Sequence, residues 1–91
     1  MVFLQKFRVS GHSMMPTLKP GQEILVSSLP YLFVDPKVGE IIAFKEGNKF
    51  IVKRIKKAEN GKFLVQGDNK NDSKNFGWIE KKNIIGKVIY P

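Results

Sequence analysis

The chain has 91 residues, enough for one modest core and too few for two, so residues 1–91 are read as one domain. Hydrophobic residues make up 42% and are spread throughout, which argues against a disordered chain. Sixteen Lys and Arg against eight Asp and Glu give a net charge of +8, and the absence of cysteine excludes disulfides and thiolate-bound zinc. Such a basic balance favours nucleic acid, anionic lipid or acidic protein surfaces without choosing among them.

In chain order, VFLQKFRV (residues 2–9) reads as a strand. Its first apolar residues meet Gln5 and Lys6 too soon for a membrane span or a signal-peptide core. A loop follows over Gly11–Gly21, GHSMMPTLKPG, ending in the turn signal Lys19-Pro20-Gly21 before the strand EILVSS at 23–28. Leu29–Val38, LPYLFVDPKV, is apolar but interrupted by prolines. It is either a loop covering the core or an exposed surface for a peptide or a membrane.

Next, EIIAFKE and KFIVKRIKK flank Gly47-Asn48, a two-residue hairpin turn, and Asn60-Gly61 joins the second of them to KFLVQ. Gly67–Gly77 is read as a third loop, and NIIGKVIY closes the chain. No segment sustains a 3.6-residue period, and Pro16, Pro20, Pro30 and Pro36 break the candidates for one. The expectation is an all-β domain of coiled antiparallel sheets with Greek-key or barrel-like closure.

Ser13 is the residue with chemical promise, but a serine hydroxyl is a weak nucleophile until a base takes its proton. His12, the only histidine, is adjacent, and neighbours in turn or extended backbone point their side chains apart. A Ser-His-Asp triad is thereby excluded, and lysine is the base that remains. A lysine acts so only when neutral, which requires desolvation. Alternation in FIVKRI places Lys53 on one face with Ile51 and Ile55, so it is the lysine most closely framed by apolar neighbours. By pattern alone it is either that base or a structural lysine with a buried stem. GDNKNDSKNFG, from Gly67, is likewise either a turn with Asx hydrogen bonds from Asp68 and Asn69 or a polar wall of a site.

Several pieces in one order resemble the type I signal peptidase family of Ser/Lys proteases. They are Gly11-x-Ser13-Met14-x-Pro16-Thr17-Leu18, Pro20-Gly21, Val38-Gly39-Glu40-Ile41-Ile42, Val52-Lys53-Arg54-Ile55, Gly67-Asp68-Asn69, Ser73 and Gly86-Lys87-Val88. The resemblance implies that Ser13 is the nucleophile and Lys53 the general base, with Met14 packed beside them. It also implies that Ser73 orients the lysine amine, and that Arg54 pairs with Asp68 or Asp72. The backbone N–H of Ser13 would stabilise the oxyanion. No metal or other cofactor is implied.

The chain departs from the family pattern in three ways. Gly11 stands where many members carry a hydroxyl as second oxyanion donor, and Asp72-Ser73-Lys74 replaces an Asp-Ser-Arg triplet. A transmembrane anchor is not expected, and a cytoplasmic location follows from that expectation. The layout is most similar to the nickel-type superoxide dismutase maturation proteases. That likeness implies a precursor with a short N-terminal leader, the nickel superoxide dismutase precursor, as substrate and partner. A general leader-cleaving protease is the alternative. A small basic nucleic-acid-binding β-barrel leaves Gly11–Leu18 unexplained, so nucleic acid is not an expected partner. A self-cleaving repressor-type domain lacks a cleavable linker before Ser13. Contact with a membrane surface, without a span, stays open for Leu29–Val38.

Overall fold

The β-branched and aromatic runs form seven strands of one antiparallel sheet in a computed structural model that describes residues 3–71 and 75–91. They are β1 (Leu4–Arg8), β2 (Glu23–Ser27), β3 (Ile41–Glu46), β4 (Lys49–Glu59), β5 (Lys62–Gln66), β6 (Asn75–Glu80) and β7 (Ile84–Tyr90). The order across the sheet is β1-β2-β7-β3-β4-β5-β6, so β7 returns to lie between β2 and β3.

The all-β antiparallel expectation holds, but the sheet is open, with β1 and β6 at its two edges. Phe7 of β1 and Phe50 of β4 pack with centroids 5.5 Å apart. The expected loop over Gly67–Gly77 is also shorter, because β6 begins at Asn75 and pairs with β5.

Both hairpins form as their turn residues predict. Gly47 takes φ +60° at the first central position, whereas Asn60 and Gly61 both have positive φ, at 51° and 77°. The second pattern is that of a type I′ turn, whose twist matches the flanking strands.

Alternation along β3 feeds two apolar clusters. Ala43 joins Val9, Met14, Leu18, Ile24 and Val26, whereas Ile42 and Phe44 join Ile55, Phe63, Val65 and Ile79. Each of these side chains larger than Ala43 contributes roughly 1.5–3 kcal/mol when fully buried.

Leu29–Val38 resolves towards the exposed alternative. Pro30–Leu32 is a short 3-10 turn, and Leu29, Leu32, Phe33, Val34 and Val38 all face solvent. Tyr31 anchors the segment, packing on the second cluster and donating to Glu40 Oε1 at 2.7 Å. Burial is the main force raising the Tyr31 pKa, assisted by the Glu40 carboxylate. Burial alone would raise Glu40 as well. Donation from Tyr31, the Lys37 N–H and Lys87 outweighs it and lowers that carboxyl below its ordinary range.

Candidate active site

The serine turn is built from local geometry and two apolar anchors. Gly11 takes φ +79°, a conformation that side chains disfavour. The His12 carbonyl accepts from Met15 N–H at 3.1 Å, and the Met14 carbonyl accepts from Leu18 N–H at 2.9 Å. Met14 and Leu18 are buried in the first cluster, while Ser13 is half-buried and His12 is exposed.

Lys53 comes to the same place from the middle of β4. It pairs with Ile42 of β3, shares its face with Ile51 and Ile55, and is only 3% exposed. Gly67 lies between the two segments. A Cβ added there would stand 2.5 Å from the Ser13 carbonyl oxygen and 3.2 Å from Lys53 Nζ. Glycine is therefore required at 67 by close approach, since any side chain would push the turn and the amine away.

The loop that carries Gly67 also grips the serine turn. Asn69 N–H donates to the Ser13 carbonyl at 2.8 Å, and Asn69 Nδ2 donates to the His12 carbonyl at 2.8 Å. Thr17 Oγ1 donates to Asp68 Oδ2 at 2.7 Å. Asp68 in turn takes a two-pronged contact from Arg54, Nε to Oδ1 at 2.8 Å and Nη2 to Oδ2 at 2.7 Å. The third guanidinium nitrogen, Nη1, donates to the Gly39 carbonyl at 2.7 Å. The Arg54 hydrogen bonds are the main cause holding the Asp68 carboxyl below its ordinary range, against the opposing effect of burial, with Thr17 adding to the lowering.

Ser13 and Lys53 both line an open groove of about 760 Å³. Phe7, Val9 and Ser10 reach it from β1 and the turn, and Ala43, Phe50 and Val52 from the β3–β4 hairpin. The groove is apolar near Met14 and Val52 and charged at Arg8, Glu46 and Lys49.

Of the residues singled out in the sequence, Ser13, Met14, Lys53, Arg54 and Asp68 are brought together. Asp68 is the Arg54 partner, and Ser73 and Asp72 lie outside the described residues. Of the two expected Asx bonds, Asn69 makes one, accepting from Asn71 N–H at 3.0 Å, while Asp68 is taken up by Arg54 and Thr17. The bridging roles of Thr17 and Asn69 had no signal in the sequence, because the groups they meet are more than fifty residues away. Among the described residues no cluster of His, Cys, Asp and Glu could hold a metal ion.

The all-β sheet thus brings a loop serine and a buried lysine to one groove. The chain belongs to the family described as signal peptidase, peptidase S26, whose profile matches residues 1–58. It is 27% identical to the protein named "Inactive signal peptidase IA" of Staphylococcus aureus (strain COL), over 96% of this chain and 80% of that one. It is 24% identical to "Probable signal peptidase I-1" of Synechocystis sp. (strain ATCC 27184 / PCC 6803 / Kazusa), over 90% of this chain and 67% of that one. "Signal peptidase I" of Leptolyngbya laminosa is also 24% identical, over 89% of this chain and 64% of its own length. The staphylococcal alignment runs to 140 positions against a chain of 91 residues, so that relative carries stretches this chain lacks.

Proposed function

We propose that this chain is a serine endopeptidase that removes an N-terminal leader from a precursor protein, with Ser13 as nucleophile and Lys53 as general base. The observation that carries it is the convergence at Gly67 of the Ser13 backbone and the amine of an almost fully buried lysine. Burial favours the neutral amine, the form able to accept a proton.

In this mechanism Ser13 Oγ attacks the carbonyl carbon of the scissile bond while Lys53 Nζ takes the hydroxyl proton. The Ser13 N–H donates to the developing oxyanion, and the Lys53 ammonium then protonates the leaving amine. Water, deprotonated by the regenerated amine, releases the acyl group. The groove suits an extended substrate, since among the described residues β1 pairs with β2 alone and its outer edge can add one more strand.

The precursor of a nickel superoxide dismutase is the substrate that the sequence layout favours. The second reading is a signal-peptidase-like domain without catalysis, favoured by the name of the staphylococcal relative. Mass spectrometry of that precursor, and of an ordinary signal-peptide precursor, after incubation with this protein and with Ser13→Ala decides between them. A single cut at a leader junction, lost in the variant, is expected. If the precursors stay intact, the catalytic reading falls; a cut in the ordinary precursor alone removes the dismutase.

A further inference from the structure

Tyr31 turns inward from a segment whose Leu, Phe and Val side chains are exposed, and a run of hydrogen bonds leads from its hydroxyl to the serine turn. The first is donated by the Tyr31 O–H to Glu40 Oε1, at 2.7 Å. The same oxygen accepts the Lys37 N–H at 2.9 Å, while Glu40 Oε2 lies 3.2 Å from Lys87 Nζ. The Glu40 N–H donates back to the Lys37 carbonyl at 3.1 Å, so the turn over Lys37–Glu40 is closed from both sides.

That turn presents the Gly39 carbonyl to the site. Gly39 is exposed and has no side chain to pack, so hydrogen bonds fix its position. Its N–H donates to the Ile55 carbonyl at 2.9 Å, and the Ile55 N–H donates to the Glu40 carbonyl at 2.9 Å. Both bonds tie the turn to β4 two residues from Lys53. The Gly39 carbonyl accepts Arg54 Nη1 at 2.7 Å, and the other two nitrogens of that guanidinium hold Asp68. Asp68 accepts from Thr17 of the serine turn, and the next residue, Asn69, donates to the Ser13 carbonyl.

A planar guanidinium held at three corners has one orientation, and releasing one corner lets it tilt. We infer that Tyr31 is a positioning residue for the reaction, acting through the Glu40 carboxylate, the Gly39 carbonyl and Arg54 on the placement of Ser13 relative to Lys53. The inference rests on the assignment of those two residues as nucleophile and base. Tyr31 does not line the groove, so it meets no substrate there. Loss of its hydroxyl therefore slows the chemical step and leaves precursor binding unchanged.

The test is single-turnover cleavage of a leader-bearing precursor over a range of enzyme concentrations, well below the unfolding midpoint of each variant. Wild type, Tyr31→Phe, Arg54→Lys and the double variant are compared. Tyr31→Phe keeps the ring that packs on the second cluster and deletes only the hydroxyl. Its maximal rate is expected to fall about three- to tenfold, with the half-saturating concentration unchanged. In the Arg54→Lys background, where the link is already cut, the same substitution should cost at most about twofold. Thr17→Val, which cuts the last link, replaces Arg54→Lys if that variant does not fold, and the loss should shrink there too. Equal losses in both backgrounds would show that the hydroxyl acts by another route and overturn the proposal. A wild-type rate in Tyr31→Phe overturns it as well. So does an equal loss in Phe33→Ser, which alters the exposed tip of the same segment and no member of the chain of bonds. Absence of cleavage by the wild type is a different result: it removes the protease reading, and this inference with it.

Discussion

The turn at Gly11–Gly21 and the loop at Leu29–Val38 are alike on paper: both are partly apolar, both hold two prolines, and both link strands. They end in opposite environments. The first buries Met14 and Leu18 and gives its carbonyls to a loop more than fifty residues away. The second exposes its apolar side chains and is anchored through Tyr31 and Asp35. What separates them is long-range partnership. Asn69, Asp68 and Gly67 meet the backbone and Thr17 of the first, whereas the second is tied through the side chains of Tyr31 and Asp35, leaving its apolar tips in solvent.

The comparison breaks most sharply where the first turn meets Lys53. Lys53→Arg preserves charge but leaves a guanidinium that cannot accept a proton. Cleavage of a leader-bearing precursor should fall by at least about a thousandfold, as for other losses within a catalytic unit. Near-normal turnover would remove Lys53 as the base.

Gly67→Ala tests the junction while leaving both Ser13 and Lys53 unsubstituted. The new methyl would overlap the Ser13 carbonyl oxygen at 2.5 Å, so the turn must move relative to the amine. A displacement on the order of 1 Å costs about a hundredfold in rate. Overpacking should also lower stability by roughly 1–3 kcal/mol. Single-turnover rates and thermal unfolding measure the two effects separately, and an unchanged rate would show that the close approach is not part of the site. Nothing comparable follows from changes at Leu32, Phe33 or Val34, where added volume meets solvent.

Six of the seven strands were legible in their β-branched runs, as was the pairing of both hairpins through Gly47-Asn48 and Asn60-Gly61. The strand β6 was not, because NFGWIE follows a polar run and contains Gly77 at φ +79°. Its place is set by pairing with β5, an interaction that leaves no local pattern. The openness of the sheet was hidden for the same reason, since only tertiary pairing decides whether the first and last strands meet. At the site, alternation placed Lys53 beside Ile51 and Ile55, and family resemblance linked it to Ser13. The need for glycine at 67 is a matter of three-dimensional approach and has no sign in spacing.

Asp68→Asn probes the link from β4 to the loop. It removes the charge that Arg54 grips with two nitrogens, in a site where the two side chains are 28% and 12% exposed. A loss of roughly 1.5–3 kcal/mol is expected for a charged hydrogen-bonded pair in partial contact with water. The pH dependence follows from the direction of the Asp68 shift. A carboxyl held below its unfolded pKa contributes stability above about pH 4, and that contribution disappears as pH falls through the folded value. Urea unfolding of the wild type and Asp68→Asn should therefore differ most near neutrality and converge in acid. Parallel curves down to low pH would assign the loss to packing instead.

The finest probe is Thr17→Val, which deletes one hydroxyl and keeps the shape. Thr17 Oγ1 is the tie from the serine turn to Asp68, but Thr17 is exposed and Asp68 keeps both Arg54 contacts without it. Water can replace the hydroxyl at such a position, so stability should fall by only about 0.5–1.5 kcal/mol. The hydroxyl also helps to lower the Asp68 pKa, so the acid limb of the unfolding curve should move to higher pH in the variant. If stability falls while the acid limb stays in place, Thr17 supports the turn locally and the tie to Asp68 carries no weight. If both change, the serine turn is held through Asp68 as well as through Asn69. Phe33 and Leu32, by contrast, bond through N–H groups to carbonyls of their own 3-10 turn.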